Sequence, residues 1–269
     1  MNLSAYLSRI GFSEAPRPDL ATLQALHRAH LLAIPYENLD VQFGRPLNTD
    51  PAAAYEKIVG RGRGGWCYEM NGLFGWALSE IGFKVTRLGG GGGDPGQVSV
   101  LGSHLVLRVD LDEPWIADVG FADGPIEPFA FSDGPFTQRG FEFGVESLSD
   151  GLWRLRNHQF GARPFYDCGP TDEAALAERC VWLQSDPQSG FVQNAVAFHH
   201  NAEGFCSLIG RVLRVITPAG AEKSLVVDAD DYVRTLRERF DLDFPEAASL
   251  WPKIVARHEA LFASPPATK

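Results

Sequence analysis

Arg61–Leu78 reads RGRGGWCYEMNGLFGWAL, and its interpretation decides the fold. From Trp66 onward apolar residues fall at Met70, Leu73, Phe74, Ala77, Leu78 and Ile81. That three- and four-residue rhythm predicts a helix packed on a core. Cys67 lands in its first turn, where unpaired N–H groups and the positive end of the helix dipole favour a thiolate over a thiol. Gly64 and Gly65 precede it and permit close backbone approaches, so they are expected to open a gap through which a substrate could reach the sulfur. A cysteine commonly serves as a small buried hydrophobe, and a nucleophilic role requires a base and an orienting acid elsewhere.

Upstream, Leu3–Ile10 reads as a short helix stopped at Gly11. Asp19 is placed to cap a helix running through Leu20, Leu23, Leu26 and Leu31 until Pro35. Asp50-Pro51 is a cap followed by proline at the first helical position, and Gly60 closes that segment. His27 and His30 lie three apart with no third ligand in view, so no metal is expected there.

At Lys84 the rhythm changes. KVTRL, QVSVLGSHLVLRVDL and PWIADVGF are short, β-branched and alternating, as are FEFGVESL, GLWRLRNHQF and ARPFYDC further on. They predict an antiparallel sheet closed as a barrel or stacked as a sandwich. Gly89–Gly93 is an unbroken glycine run followed by Asp94-Pro95 rather than by a helix, so it reads as a mobile strand connection rather than a phosphate cradle. TDEAALAERCVWLQ is a candidate helix, His199-His200 an adjacent pair facing opposite ways in a strand, and GRVLRVITP a further strand. Asp230 is expected to cap a helix whose Arg234, Arg237 and Arg239 form a solvated face with Glu238. Ala247–Phe262 is a last amphipathic helix before a loose tail, SPPATK.

In His104–Leu111, residues 105, 107, 109 and 111 share one face and 104, 106, 108 and 110 the other. Asp118 is embedded in WIADVGF, where an ionised acid needs something to hold its charge. An odd-length connection between the two strands, of three or five residues, or an equivalent bulge, puts His104 and Asp118 on one face and lets them oppose each other; a two-residue loop separates them. The carboxylate would then fix the imidazole tautomer and leave its other nitrogen for Cys67.

Composition narrows the setting. The 269 residues carry a formal charge of −10, with 45% hydrophobic and 22% charged residues, which suits a soluble globular protein and argues against nucleic-acid or anionic-membrane partners. Cys67, Cys168, Cys180 and Cys206 are widely spaced, without metal-ligand spacing. No signal peptide or membrane span is evident, and a cytoplasmic location with reduced thiols is expected.

Taken together, IPYENL (34–39), RGGWCYEMN (63–71), SHLVLRV (103–109), ADVGF (117–121) and SDPQSGF (185–191) resemble the arylamine N-acetyltransferase family, and the resemblance spans essentially the whole chain. It implies an α+β fold: an N-terminal helical domain (1–83), a central antiparallel β-barrel (84–190) and a C-terminal α/β lid (191–269), around a core similar to that of cysteine proteases and transglutaminases. It implies Cys67, His104 and Asp118 as the catalytic triad, Glu37 and Arg63 as a supporting ion pair, and Phe121 and Ser103 as substrate-binding residues. The implied reaction is ping-pong transfer of an acetyl group from acetyl-CoA, a cosubstrate, to an arylamine, arylhydrazine or N-hydroxyarylamine, with no metal. Related readings are an amide synthase closing a macrolactam on a carrier-bound polyketide, a cysteine hydrolase or transglutaminase, and a non-catalytic small-molecule binding protein. Where the family usually has glycine after the phenylalanine, Ala122 follows Phe121, and its methyl is expected to narrow the loop near the coenzyme. The residues holding the coenzyme phosphates stay open among Arg211, Arg214 and the Arg234–Arg239 group.

Overall fold

The computed structural model describes residues 1–92 and 100–262. Gly93, the first residues of the QVSV strand and the SPPATK tail lie outside the described residues.

The cysteine helix, Cys67–Ile81, sits at the centre and ends at Gly82, whose φ of 106° only glycine adopts comfortably. Residues 67–74 are buried on every side, a wider burial than the predicted stripe. The helix is enclosed on one flank by N-terminal helices and on another by a sheet. Among those helices, Leu20–Ala33 starts where the Asp19 carboxylate accepts the Thr22 N–H at 2.8 Å and stops at extended Ile34, before Pro35. Pro51–Tyr55 starts at an Asp50 cap as expected, then widens into a π-helical turn over Glu56–Gly60.

Among the described residues the sheet has eight antiparallel strands, in the order 129–130, 114–116, 104–110, 84–91, 165–169, 153–156, 141–147 and 134–138. It is strongly curled into a half-barrel. Its two edges approach each other: the rings of Phe129 and Phe136 stack at 5.1 Å. The Gln138 amide accepts the Glu127 N–H at 2.9 Å and donates to the Glu127 carbonyl at 3.1 Å. A side-chain amide thus stands in for a strand pair along the seam. The predicted alternation holds: Leu105, Leu107 and Val109 join the core around the cysteine helix, while Val106 joins a second core inside the curl with Leu88, Ile116 and Tyr166.

A five-stranded sheet, in the order 36–37, 196–200, 205–209, 212–217 and 220–225, is covered by helices Ala229–Phe240 and Trp251–Phe262 around a third core. Its first strand, Tyr36–Glu37, comes from the N-terminal region and carries the chain to the cysteine helix through a bridge between Tyr36 and Gly65.

Several expectations need correction. The glycine run is not only a connection: Gly89–Gly91 continue strand 84–91, Gly89 and Gly90 pairing with Leu105 and His104 on one side, and all three pairing with Asp167–Gly169 on the other. A Cβ on Gly90 would lie 2.9 Å from Val106 Cγ2 and 3.1 Å from His104 Cδ2, and one on Gly91 would lie 2.1 Å from the Val100 carbonyl oxygen. Gly89–Gly91 are glycine because the strand passes directly under neighbouring groups. The helix expected to start at Asp230 is capped instead by Asp228, which accepts the Asp231 N–H at 2.8 Å; Arg234 pairs with Asp231 and Arg237 with Asp243, not with Glu238. The last predicted helix is split into a 3₁₀ segment, Pro245–Leu250, and an α-helix from Trp251.

Candidate active site

Cys67 opens its helix against a cavity of about 590 Å³, which Tyr36, Ser103, His104, Gly120 and Phe121 also line. His104, at the start of its strand, directs Nε2 at Asp118 Oδ2, 2.7 Å away, and shares the cavity wall with Cys67, near enough for the sulfur to act on the ring's charge. Since Asp118 occupies Nε2, the nitrogen left for the sulfur is Nδ1. The strand connection is Leu111–Glu113, an odd length as predicted, but the register pairs Arg108 with Ile116. Extended, it sets Asp118 beside Val106 rather than opposite His104. The strand ends at Ile116, and the aspartate meets the histidine diagonally on their shared face.

Burial opposes charge on the His104 ring, but the Asp118 carboxylate and the Cys67 sulfur outweigh it and carry the imidazole up to about 10. Burial likewise raises Asp118, and its hydrogen bonds from His104 and Asn71, with the Tyr166 hydroxyl facing it, bring the carboxyl below its ordinary value. Asn71 lies one turn after the cysteine. Its Nδ2 donates to Asp118 Oδ1 at 2.7 Å and to the Leu105 carbonyl, and its Oδ1 accepts the Val119 N–H at 2.9 Å. One amide therefore ties helix, strand and aspartate loop together. The sequence reading missed it, although its spacing of four from Cys67 was a usable signal.

Glycine openness is divided differently from expectation. A Cβ on Gly64 would lie 2.2 Å from the Pro35 carbonyl oxygen, and one on Gly65 would lie 2.8 Å from Glu69 Cβ, so both serve packing behind the helix rather than substrate entry. Of the glycines that line the cavity, Gly120 lies against the cysteine, where a Cβ would lie 2.6 Å from Asn71 Nδ2 and 2.9 Å from Cys67 Cα. Ala122, the departure from the family pattern, lines the cavity and has no positive φ, so its methyl causes no backbone strain.

Glu37 and Arg63 do pair, at 2.7 Å, but within a larger cluster. Lys57, 1% exposed, places Nζ 2.9 Å from both Asp40 and Glu69 and 3.4 Å from Glu37. Burial disfavours its charge, yet the three carboxylates together hold Lys57 above its ordinary value. Burial also raises Glu69, which accepts the Trp66 N–H at 3.2 Å just before the cysteine. The Glu37 carboxylate further accepts the Leu39 N–H at 2.7 Å.

Several further titratable groups take places outside the cavity wall. Cys168 and Cys180 are each pushed by burial to about 12. His27 contacts the Ile126 carbonyl and His30 the Tyr6 hydroxyl. Of the arginines considered for the coenzyme, none lines the cavity: Arg211 donates to the Val226 carbonyl, Arg214 to that of Phe160, and Arg234 and Arg237 are paired with acids.

A helix-tip cysteine set against the first residues of a curled antiparallel sheet is the cysteine-protease-like fold. A family model described as N-acetyltransferase matches residues 19–249. A pineal gland isozyme of arylamine N-acetyltransferase from Gallus gallus is 31% identical over 276 residues, covering 90% of this chain and 94% of its own. The arylamine N-acetyltransferase of Mycolicibacterium smegmatis is 31% identical over 268 residues, covering 92% and 94%. The solved structure of Mycobacterium marinum arylamine N-acetyltransferase in complex with CoA has a TM-score of 0.84 at 29% identity, covering 95% of this chain and 98% of that one. The chain belongs to the arylamine N-acetyltransferase family.

Proposed function

We propose that this protein transfers an acetyl group from acetyl-CoA to an arylamine, arylhydrazine or N-hydroxyarylamine through an acetyl-cysteine at Cys67, with His104 as base and acid and Asp118 as its orienting partner. The observation that carries the reading is that sulfur and imidazole share the wall of one cavity and the imidazole is backed by a carboxylate, with His104 Nε2 and Asp118 Oδ2 2.7 Å apart.

The residues divide the work as follows. A His104 ring held near 10 keeps its proton at neutral pH, so an imidazolium faces the Cys67 sulfur and favours the thiolate. The thiolate attacks the thioester carbonyl carbon, and the oxyanion that forms draws on backbone N–H groups at the helix start. The C–S bond to coenzyme A then breaks, and the departing sulfur takes the proton from His104. The amine nitrogen attacks the acetyl-cysteine, gives a proton to the now neutral His104, and expels Cys67 as thiolate. Aromatic amines and hydrazines suit the second half because they are largely unprotonated at neutral pH.

Phe121 lines the cavity with its ring 5.9 Å from that of His104 and 4.8 Å from that of Tyr166, which supports its assignment to the acceptor side. Ser103 also lines the cavity, and its hydroxyl donates to the Val100 carbonyl at 3.0 Å, which supports a role in shaping the wall. Glu37 and Arg63 are assigned to support of the helix start rather than to chemistry. Four unpaired cysteines suit a reducing, cytoplasmic setting.

Incubation with acetyl-CoA followed by intact-mass measurement tests the reading. A single acetyl group, absent in Cys67→Ala and discharged by an added arylamine, is the expected result. A wild-type protein that never acquires the acetyl group refutes it.

A further inference from the structure

The cavity beside Cys67 is lined by two arginines and one carboxyl, Asp123, whose oxygens accept from Asn157 Nδ2 and the Ala162 N–H and not from either arginine. Arg179, on helix Glu173–Ser185, and Arg163, in the segment before strand Phe165–Gly169, both line it. Neither has a carboxylate partner among the described residues, whereas Arg63, Arg87 and Arg154 are all paired with acids. The Arg179 guanidinium lies over the Trp182 ring at 4.4 Å, and its Nε is buried without a hydrogen-bond partner. Stacking covers the flat face of the group and fixes its plane, while its edge donors stay uncommitted. Arg163 is exposed, and its side chain runs beside Gly92, where a Cβ would lie 3.8 Å from Arg163 Cδ. In a chain of formal charge −10, an anionic reactant is repelled overall and needs a local positive site to settle.

We infer that Arg163 and Arg179 form an anion-binding element of the reaction cavity, with Arg179 as the fixed donor and Arg163 as the outer one. The inference rests on the acyl-transfer reading of the cavity and adds a specificity to it. The chemistry recognised is an anionic oxygen, carboxylate or phosphate. Two reactants can supply one: coenzyme A through its phosphates, or an acceptor amine with a carboxylate on its ring.

Binding distinguishes the sources without turnover. Coenzyme A, para-aminobenzoate and the neutral ethyl ester of para-aminobenzoate are titrated separately by calorimetry into wild type, Arg179→Gln, Arg163→Gln and Arg179→Lys. Arg179→Gln is expected to weaken one of the two anions by about tenfold or more, the scale of a charge-assisted hydrogen bond. Arg163→Gln has a smaller effect on the same ligand, Arg179→Lys recovers part of the loss, and ester binding is unchanged. A loss confined to coenzyme A assigns the phosphates; a loss confined to para-aminobenzoate assigns the acceptor carboxylate.

Steady-state kinetics repeat the comparison with acetyl-CoA against S-acetylpantetheine, which lacks the phosphates, and with the acid against its ester. The effect is expected in KM for the charged member of one pair. Charged and neutral ligands that respond alike, within about twofold, in both neutralised variants overturn the inference. Failure of the acyl-transfer reading appears separately, as wild-type protein that takes no acetyl group from acetyl-CoA while still binding the anion.

Discussion

Lys57→Met is the sharpest test of how the helix start is held. The substitution keeps most of the side-chain volume and removes the one cation that touches Glu37, Asp40 and Glu69 together. The three acids are not equally exposed to the loss. Arg63 still reaches Glu37 at 2.7 Å and Asp40 at 3.6 Å, and Arg45 reaches Asp40 at 3.2 Å. Glu69 keeps only the Trp66 N–H, so the variant strands one buried carboxylate and not three. Breaking a buried pair of this kind costs about 3–5 kcal/mol, a loss of roughly 5–10 °C in Tm for a chain of this size. Glu69 already sits above its ordinary value, and losing Lys57 raises it further. The folded state then binds the extra proton at pH values above about 4.3, so the deficit relative to wild type grows as pH rises. Urea unfolding of wild type, Lys57→Met and Lys57→Met/Glu69→Gln between pH 5 and 8 reads each step. The double variant is expected to recover much of the loss and to flatten its pH dependence. A single variant within about 1 kcal/mol of wild type, or a loss that Glu69→Gln does not relieve, refutes the account of the cluster.

Other consequences are as direct. Gly90→Ala drives a methyl toward Val106 and the His104 ring and is expected to cost about 1–3 kcal/mol and slow Cys67 acetylation. Gly92→Ala, whose nearest atoms lie at 3.7 and 3.8 Å, is expected to do neither; thermal melts and intact-mass kinetics compare the two. Asn71→Ala leaves the Val119 N–H and Asp118 Oδ1 short of partners, so stability falls by about 1–3 kcal/mol and kcat falls with KM little changed. Burial is the main cause that carries Asp123 from an ordinary 3.8 up to about 6. The folded state therefore holds an extra proton between those values, and stability falls by about 3 kcal/mol as pH rises through them. His27 is lowered by burial from 6.5 to about 4, which makes stability rise over nearly the same window. Asp123→Asn removes the falling contribution, so urea unfolding of the variant should gain stability with pH more steeply from 4 to 6 than wild type does.

The parts of the fold set by local pattern could be read from residues alone. The rhythm of Trp66–Ile81 predicts the cysteine helix, and strand alternation predicts that Val106 faces away from Leu105 and Leu107. Parity of the strand connection predicts that His104 and Asp118 share a face, because slippage by one residue would separate them. The register was not legible to the residue, because Asp118 lies beyond the strand end and a diagonal approach satisfies the same parity. Gly89–Gly91 reads as a connection because glycine gains little intrinsically from a strand, and the reason for its presence lies in Val106, His104 and Val100. Lys57 carries no signal in the sequence, since acids at positions 37, 40 and 69 converge on it only in the folded chain. Arg163 and Arg179 are recognised by what they lack, and a missing partner has no sequence signature.

The two buried charge systems meet at one turn of helix and should separate in kinetics. Cys67 faces the large cavity, whereas Lys57, Asp40 and Glu69 border a different one behind the helix. The two sides share the helix's first turn, through Cys67 and Glu69. Disturbing the Lys57 cluster therefore shifts the sulfur relative to His104 while leaving the cavity wall as it was. Its effect belongs in kcat, since a misplaced nucleophile loses alignment that is realised only in the transition state. Arg179 contacts neither the sulfur's helix turn nor the buried acids in any hydrogen bond or ion pair among the described residues, so its loss belongs in KM for an anionic reactant. If Lys57→Met raised KM and left kcat alone, the helix tip would not be what couples the buried charges to the reaction.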